Sequence, residues 1–244
     1  FCIWDNSIVR TKMLCMIWSL SSEEKINILD VGCGTAQMWQ PFLKNMPNVS
    51  LYGFDPGKAS VLTANKNLKG LNAKICQGGI HNVQNLFTDI NQFNFIVSHS
   101  VLEHVVPRNL YFETLDYRLT DNGVALISWG SDHFRQGIKT DIRNYISQLL
   151  TIIGIESYYA KEVDEIWALN AINKAGLEVN VLHYYSIVEL KKLFKFISKE
   201  SKNNIFQNWI EIEEEFNKSK NYNTQLKKKM DETFAVFTKK NKSI

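Results

Sequence analysis

The 244-residue chain is poor in the residues that mark several protein classes. It has four cysteines, Cys2, Cys15, Cys33 and Cys76, with no C-x-x-C pair and no histidine at metal-ligand spacing. Neither a disulfide framework nor a metal site is indicated, and a reducing compartment fits best. Gly/Ser- and Pro-rich stretches are missing, so no linker divides the chain, and no internal repeat is visible. The longest early apolar stretch, Met13 to Leu20, falls far short of the roughly 20 residues that a bilayer span requires. With no cleavable signal pattern, a cytoplasmic protein without a membrane partner is expected. An excess of charge is also lacking: 28 basic against 25 acidic residues leave +3, too little to argue for nucleic acid. Lysines gather at 227–229, 239, 240 and 242, but without arginine or interleaved aromatics they read as a solvated face.

What is present is ordinary for a folded protein. Hydrophobic residues make up 45% and charged residues 22%, and the length suits one large α/β domain carrying insertions. Short apolar runs alternate with helical spacing. Strands are expected at 26–31, 49–54, 73–77, 93–98 and 124–129, with helices from about 36 to 45 and from the Pro56-Gly57 break to about 68. A further helix should start at Pro107 and close at Asn122-Gly123. Strands that alternate with helices imply a parallel sheet covered on both faces.

After Gly130 the rhythm breaks. Helical spacing returns over Val163 to Ile172 and stops at Gly176, strands follow at 177–184 and 233–238, and the stretch between them is helical. One domain is expected, with its core at 22–130, 162–186 and 232–240. Helical insertions at 131–161 and 187–230 should pack on the main sheet, over the substrate.

The segment Ile28-Leu-Asp30-Val-Gly32-Cys-Gly34-Thr-Ala36 ends a strand with glycines that let the backbone turn sharply and approach a ligand. A dinucleotide fingerprint would need glycine at 37, where the chain has Gln37, which disfavours a nicotinamide oxidoreductase. Asp55 ends the second strand, where a carboxylate can accept hydrogen bonds from two vicinal ribose hydroxyls.

At these residues the chain resembles the class I S-adenosylmethionine-dependent methyltransferases. Asp30-Val-Gly32-Cys-Gly34-Thr is similar to the first motif of that family. Phe54-Asp55 is similar to its ribose-binding acid, and Phe95-Ile-Val-Ser-His-Ser-Val-Leu-Glu-His104 to its fourth-strand motif. The resemblance implies a doubly wound, seven-stranded, mostly parallel sheet whose last strand, 233–238, runs antiparallel. It also implies S-adenosyl-L-methionine as donor and S-adenosyl-L-homocysteine as product. The implied cofactor contacts are Asp30, Gly32, Cys33, Gly34, Asp55, Pro56, Gly79, Ile80, Ser98 and His99. Asp30 would support the ammonium end, Gly32 and Gly34 would lie against the methionine portion, and Asp55 would hold the ribose. Many relatives carry an acid after the third strand for the adenine amino group; here the matching position is Gly79, leaving backbone groups around Gly79-Ile80.

A sulfonium methyl is already activated, so transfer needs chiefly a nucleophile held about 3 Å away and stripped of water. A base helps a hydroxyl or an acidic carbon, and histidine suits that task. The carboxyl ends of the fourth and fifth strands select His99, Glu103, His104, Asp132 and His133, with His133 ranked first as base and His99 and His104 behind it. Tyr158, Tyr159 and Trp167 are candidates for an apolar acceptor pocket. A small-molecule acceptor is the leading expectation. A nucleic-acid acceptor is disfavoured because no Asn-Pro-Pro-aromatic motif follows the fourth strand; a protein acceptor and an inactive cofactor-binding partner subunit are the other readings. Oligomeric state is not legible.

Overall fold

The computed structural model describes residues 7–21, 24–130, 146, 149–150, 161–198, 200–219 and 228–240. Seven strands form one sheet in the order β3-β2-β1-β4-β5-β7-β6. They are β1 (Ile26–Val31), β2 (Val49–Asp55), β3 (Ala73–Gln77), β4 (Phe93–His99), β5 (Leu119–Gly130), β6 (Leu177–Ile187) and β7 (Met230–Lys239). The strands from β3 to β5 pair in parallel, whereas β7 lies antiparallel between β5 and β6. The strand order reverses between β1 and β4, and such a switch point opens a crevice at the carboxyl edge of a sheet.

Helices cover both faces. One face carries α1 (Ile8–Leu20), α2 (Trp39–Asn45), α3 (Lys58–Asn67), α7 (Val188–Leu193) and α8 (Lys202–Lys218), packed through Leu14, Trp39, Phe42, Trp209 and Phe234. The other carries α4 (Val83–Leu86), α5 (Arg108–Arg118) and α6 (Glu165–Lys174), packed through Phe87, Tyr111, Phe112, Ile172 and Phe237. The core strands read as apolar runs because both faces are buried. Among the described residues no helix is long and apolar enough to cross a membrane.

Three local expectations need correction. The helix after the first strand begins only at Trp39, because Ala36 adopts φ 51 and the chain is still turning there. The helix near Pro107 runs Arg108–Arg118 with Pro107 as its N-cap, and β5 starts at Leu119. Asn122-Gly123 therefore stands inside a strand, where the β4–β5 register jumps from Phe93↔Leu119 to Phe95↔Val124 and the extra residues bulge out. One covering element was not announced by the apolar periodicity: α1, whose Ile8, Val9, Met13, Leu14 and Ile17 are buried.

Candidate active site

The turn after β1 is held from both sides. Gly32 and Gly34 have φ of 70 and 53, the left-handed region that side chains rarely adopt. The Gly32 and Cys33 amides donate to the Phe54 carbonyl at 2.9 and 3.0 Å, tying the turn to β2. A Cβ on Gly32 would stand 2.4 Å from Val101 Cγ2, whereas one on Gly34 would meet nothing within 4 Å. Asp55 faces this turn: its Oδ2 accepts from the Gly34 amide at 3.0 Å and its Oδ1 from the Gly57 amide at 2.8 Å. The intervening Pro56 accepts at its carbonyl from Gln77 Nε2 at 3.1 Å, which fastens β3 to the same loop.

Asp30 is the buried member of the site, with 4% of its surface exposed. Its Oδ2 accepts from Trp39 Nε1 at 2.6 Å, so the first residue of α2 fixes its rotamer. Burial pushes its carboxyl up to about 7; the Trp39 bond opposes this, the nearby Asp55 charge adds to it and Arg10 opposes it. Arg10 comes from α1 and lines a cavity of about 320 Å³ with His99, Ser100, Lys191, Trp209 and Glu232. Among the predicted contacts Cys33 is half-buried, and burial pushes its thiol far up, so it is a neutral wall.

The remaining predicted residues divide. Ser98 is fully buried and its hydroxyl donates to the Val31 carbonyl at 3.1 Å, bracing β4 against the glycine turn. His99, at the end of β4, sits 2.7 Å from Ser128 Oγ through Nδ1, and the same nitrogen is 3.8 Å from Glu232 Oε2. The His104 amide donates to the Val101 carbonyl and closes the short 3-10 turn Leu102–His104. Gly79 donates its amide to Asn82 Oδ1 at 2.9 Å, and the Ile80 side chain is buried in the core beside Val31 and Phe54. His133 and Asp132 lie outside the described residues, as do Tyr158 and Tyr159. Trp167 packs against Phe112 and lies under the Arg108 guanidinium.

The structure brings to this edge residues that were not singled out: Arg10, Trp39, Lys191, Ser186 and Glu232. Glu232 was findable, since an antiparallel last strand must begin where the parallel strands end. Arg10 was not, because the helix carrying it was not recognised. A second, larger cavity of about 840 Å³ opens at the same edge beyond Gly130, between the start of β7 and the segment leading into α6. Among the described residues no group of three or more His, Cys, Asp or Glu could hold a metal ion.

A cofactor with an adenosyl group fits these residues. The open space over Gly34, the Asp55 carboxylate facing it and the buried Asp30 beside Arg10 supply room, a diol acceptor and opposite charges for an amino-acid tail.

Comparison with known proteins agrees. A family model described as Methyltransferase domain matches residues 22–216. Malonyl-[acyl-carrier protein] O-methyltransferase 2 of Ilyobacter polytropus is 24% identical over 190 residues, which cover 74% of this chain and 68% of that protein. An uncharacterised protein of Rickettsia prowazekii, RP789, is 27% identical over 110 residues, covering 44% of this chain and only 20% of its own length. Among solved structures, a TehB-like S-adenosylmethionine-dependent methyltransferase from Corynebacterium glutamicum aligns with a TM-score of 0.58 at 15% identity, over 97% of this chain and 89% of that one. PKMT2 from Rickettsia typhi aligns with a TM-score of 0.60 at 15% identity, over 99% of this chain and 54% of that one. With the sheet order, the glycine turn and a family match over most of its length, the chain belongs to the methyltransferase domain family, of the S-adenosylmethionine-dependent class with the class I fold.

Proposed function

We propose that the chain transfers a methyl group from S-adenosylmethionine to a small-molecule acceptor at the carboxyl edge of its sheet. The observation that supports this most directly is the hydrogen bond from the Gly34 amide to Asp55, which joins the glycine turn and the acid at the switch point. When bound, the donor supplies a sulfonium-activated methyl group. The protein's part is to bind, orient and keep water out.

Asp30 supports the donor ammonium and Arg10 faces its carboxylate. Asp55 takes the ribose hydroxyls, since a carboxylate has lone pairs left after two amide bonds. Gly32 and Gly34 let the backbone come close, and Cys33 and Pro56 wall the cleft. Gly79 and Ile80 border the adenine side, and Ser98 holds the β4 end in register. His99, steadied by Ser128, stands at the edge where donor and acceptor meet, and His104 serves the turn behind it. His133 is the further candidate base. The described part of the 187–230 insertion acts as the cap, with Trp209 and Lys191 lining the smaller cavity; most of the 131–161 insertion lies outside the described residues. Small acceptors are supported by the activities named for similar proteins, among them a putative sarcosine dimethylglycine methyltransferase from Galdieria sulphuraria.

Calorimetry tests the donor site. One equivalent of S-adenosylmethionine should bind, and Asp55→Ala should weaken it by at least about tenfold, a loss of about 1.4 kcal/mol. Binding of a nicotinamide cofactor instead would overturn the reading. Labelled-methyl transfer to metabolite pools separates an active enzyme from an inactive partner subunit. His133→Ala should abolish transfer and spare donor affinity.

A further inference from the structure

We propose that the acceptor is a cationic amine, received at Glu232 beside Gly130, with the buried Glu103 behind it. This rests on the methyltransferase reading and names the substrate class of the same site.

Gly130 is the last residue of β5 and borders both cavities at the carboxyl edge. Glu103 Oε1 accepts from the Gly130 amide at 3.3 Å. A Cβ at Gly130 would lie 3.9 Å from that oxygen and 3.9 Å from Glu232 Cγ, so the two acids stand on either side of a residue without a side chain. Glu103 is wholly buried, and Glu232 exposes 12% of its side chain. Glu232 Oε1 accepts from Ser186 Oγ at 2.8 Å. On each residue the other oxygen, Oε2, is buried without a hydrogen-bond partner. Nearby Arg108 directs its guanidinium at the carbonyls of Glu103, Lys161 and Glu162.

A buried and a half-buried acid that repel each other, with outer oxygens that accept no hydrogen bond and only the His99 ring 3.8 Å from Glu232 Oε2, favour a cation placed beside them. The larger cavity extends that preference. Among its described lining residues Glu162, Asp164, Glu165, Asp231 and Glu232 face only Lys161 and Lys228, and Trp129 and Tyr184 supply aromatic surface. Some of this acid is spent: Asp164 caps α6 by accepting from the Trp167 amide, Glu165 accepts from Tyr184, and Asp231 lies 3.6 Å from Lys191. The hydrogen bonds to Asp164 and Glu165 leave their charge in place, so the described lining remains acidic. Such a wall attracts an ammonium group, which aromatic faces also favour, and repels a free carboxylate acceptor.

In the transfer, the ammonium gives its proton to the Glu232 carboxylate. The freed nitrogen lone pair forms the N–C bond to the methyl carbon while the C–S electron pair returns to sulfur, leaving a methylated ammonium and a neutral thioether. Glu103, which accepts from the Gly130 amide, acts as a positioning residue behind it.

The test is calorimetry on protein loaded with S-adenosylhomocysteine, using phenethylamine and 3-phenylpropionate as probes of similar size and opposite charge. The amine should bind at least about tenfold tighter, a preference that rising salt erodes. Glu232→Gln should remove about tenfold of amine affinity and leave that of S-adenosylhomocysteine unchanged. Glu103→Gln should weaken the amine in the same direction, and Glu232→Asp should restore part of the loss. Equal or tighter binding of the carboxylate, no binding of the amine, or a Glu232→Gln loss that falls on S-adenosylhomocysteine overturns the proposal. If the variants do not fold, the probe comparison and salt series on the unaltered protein decide it. Failure of S-adenosylhomocysteine itself to bind would defeat the methyltransferase reading; its binding without an amine preference defeats only the acceptor class.

Discussion

Gly32 shows how little tolerance the donor turn has. Its φ of 70 strains any side chain, and Val101 stands where a Cβ would go. Gly32→Ala should cost about 1–3 kcal/mol of stability through backbone strain alone, with the Val101 clash added. Thermal denaturation would show it, and the double variant with Val101→Ala should recover the clash but not the strain. The glycines, Asp30 and Asp55 were readable in the sequence because each sits at the end of an apolar run, and strand ends are where a parallel sheet binds ligands. Trp39 was not readable as a site residue. A tryptophan early in a helix looks like core, and only the 2.6 Å bond to Asp30 shows that its indole also holds the carboxylate. Glu232 stands in a polar stretch, and only the antiparallel course expected of β7 marked its position at the edge.

Among the elements, α8 is tied to the sheet by Asn217, which accepts from the Tyr184 amide and donates to its carbonyl, and by one buried acid. Glu213 accepts from the Ser186 and Ile187 amides at 2.8 and 2.6 Å and from Trp209 Nε1 at 2.5 Å. Glu213→Ala would leave three buried donors without an acceptor, at a cost of roughly 3 kcal/mol or more. Denaturant unfolding should report that loss, and Asp in its place should not recover it, since the shorter side chain cannot span to β6. The five parallel strands were legible because both of their faces are covered and the apolar runs are continuous. The first helix was hidden for the opposite reason: Trp18 and Leu20 are exposed while Thr11 is buried, so apolar residues do not gather on one stripe. Asn122-Gly123 misled because that dipeptide usually marks a turn, whereas here it lies in the bulge of β5.

For the whole molecule, three buried carboxyls set the response to pH. Asp30, Glu103 and Glu213 are each pushed up to about 7, chiefly by burial. In the unfolded chain they titrate near 4. Their neutral forms therefore favour the folded state below about pH 4, and that contribution is lost as pH rises towards 7. The melting temperature of the ligand-free protein should fall between pH 5 and pH 8 in a series at constant ionic strength. Donor binding should follow the opposite trend, because only the ionised Asp30 pairs with an ammonium group; affinity should rise through about pH 7, and a flat profile by calorimetry would remove Asp30 from that role.

The position of β7 also bears on how the molecule is made. Among the described strands β7 comes last in chain order yet is an interior strand of the sheet, hydrogen-bonded to β5 on one side and β6 on the other. A growing chain that has not yet emerged past residue 239 holds two strands with open edges, an arrangement prone to sticking. It also lacks Glu232, so competence waits for residues 230–239, which slide into a slot that the earlier strands have kept for them.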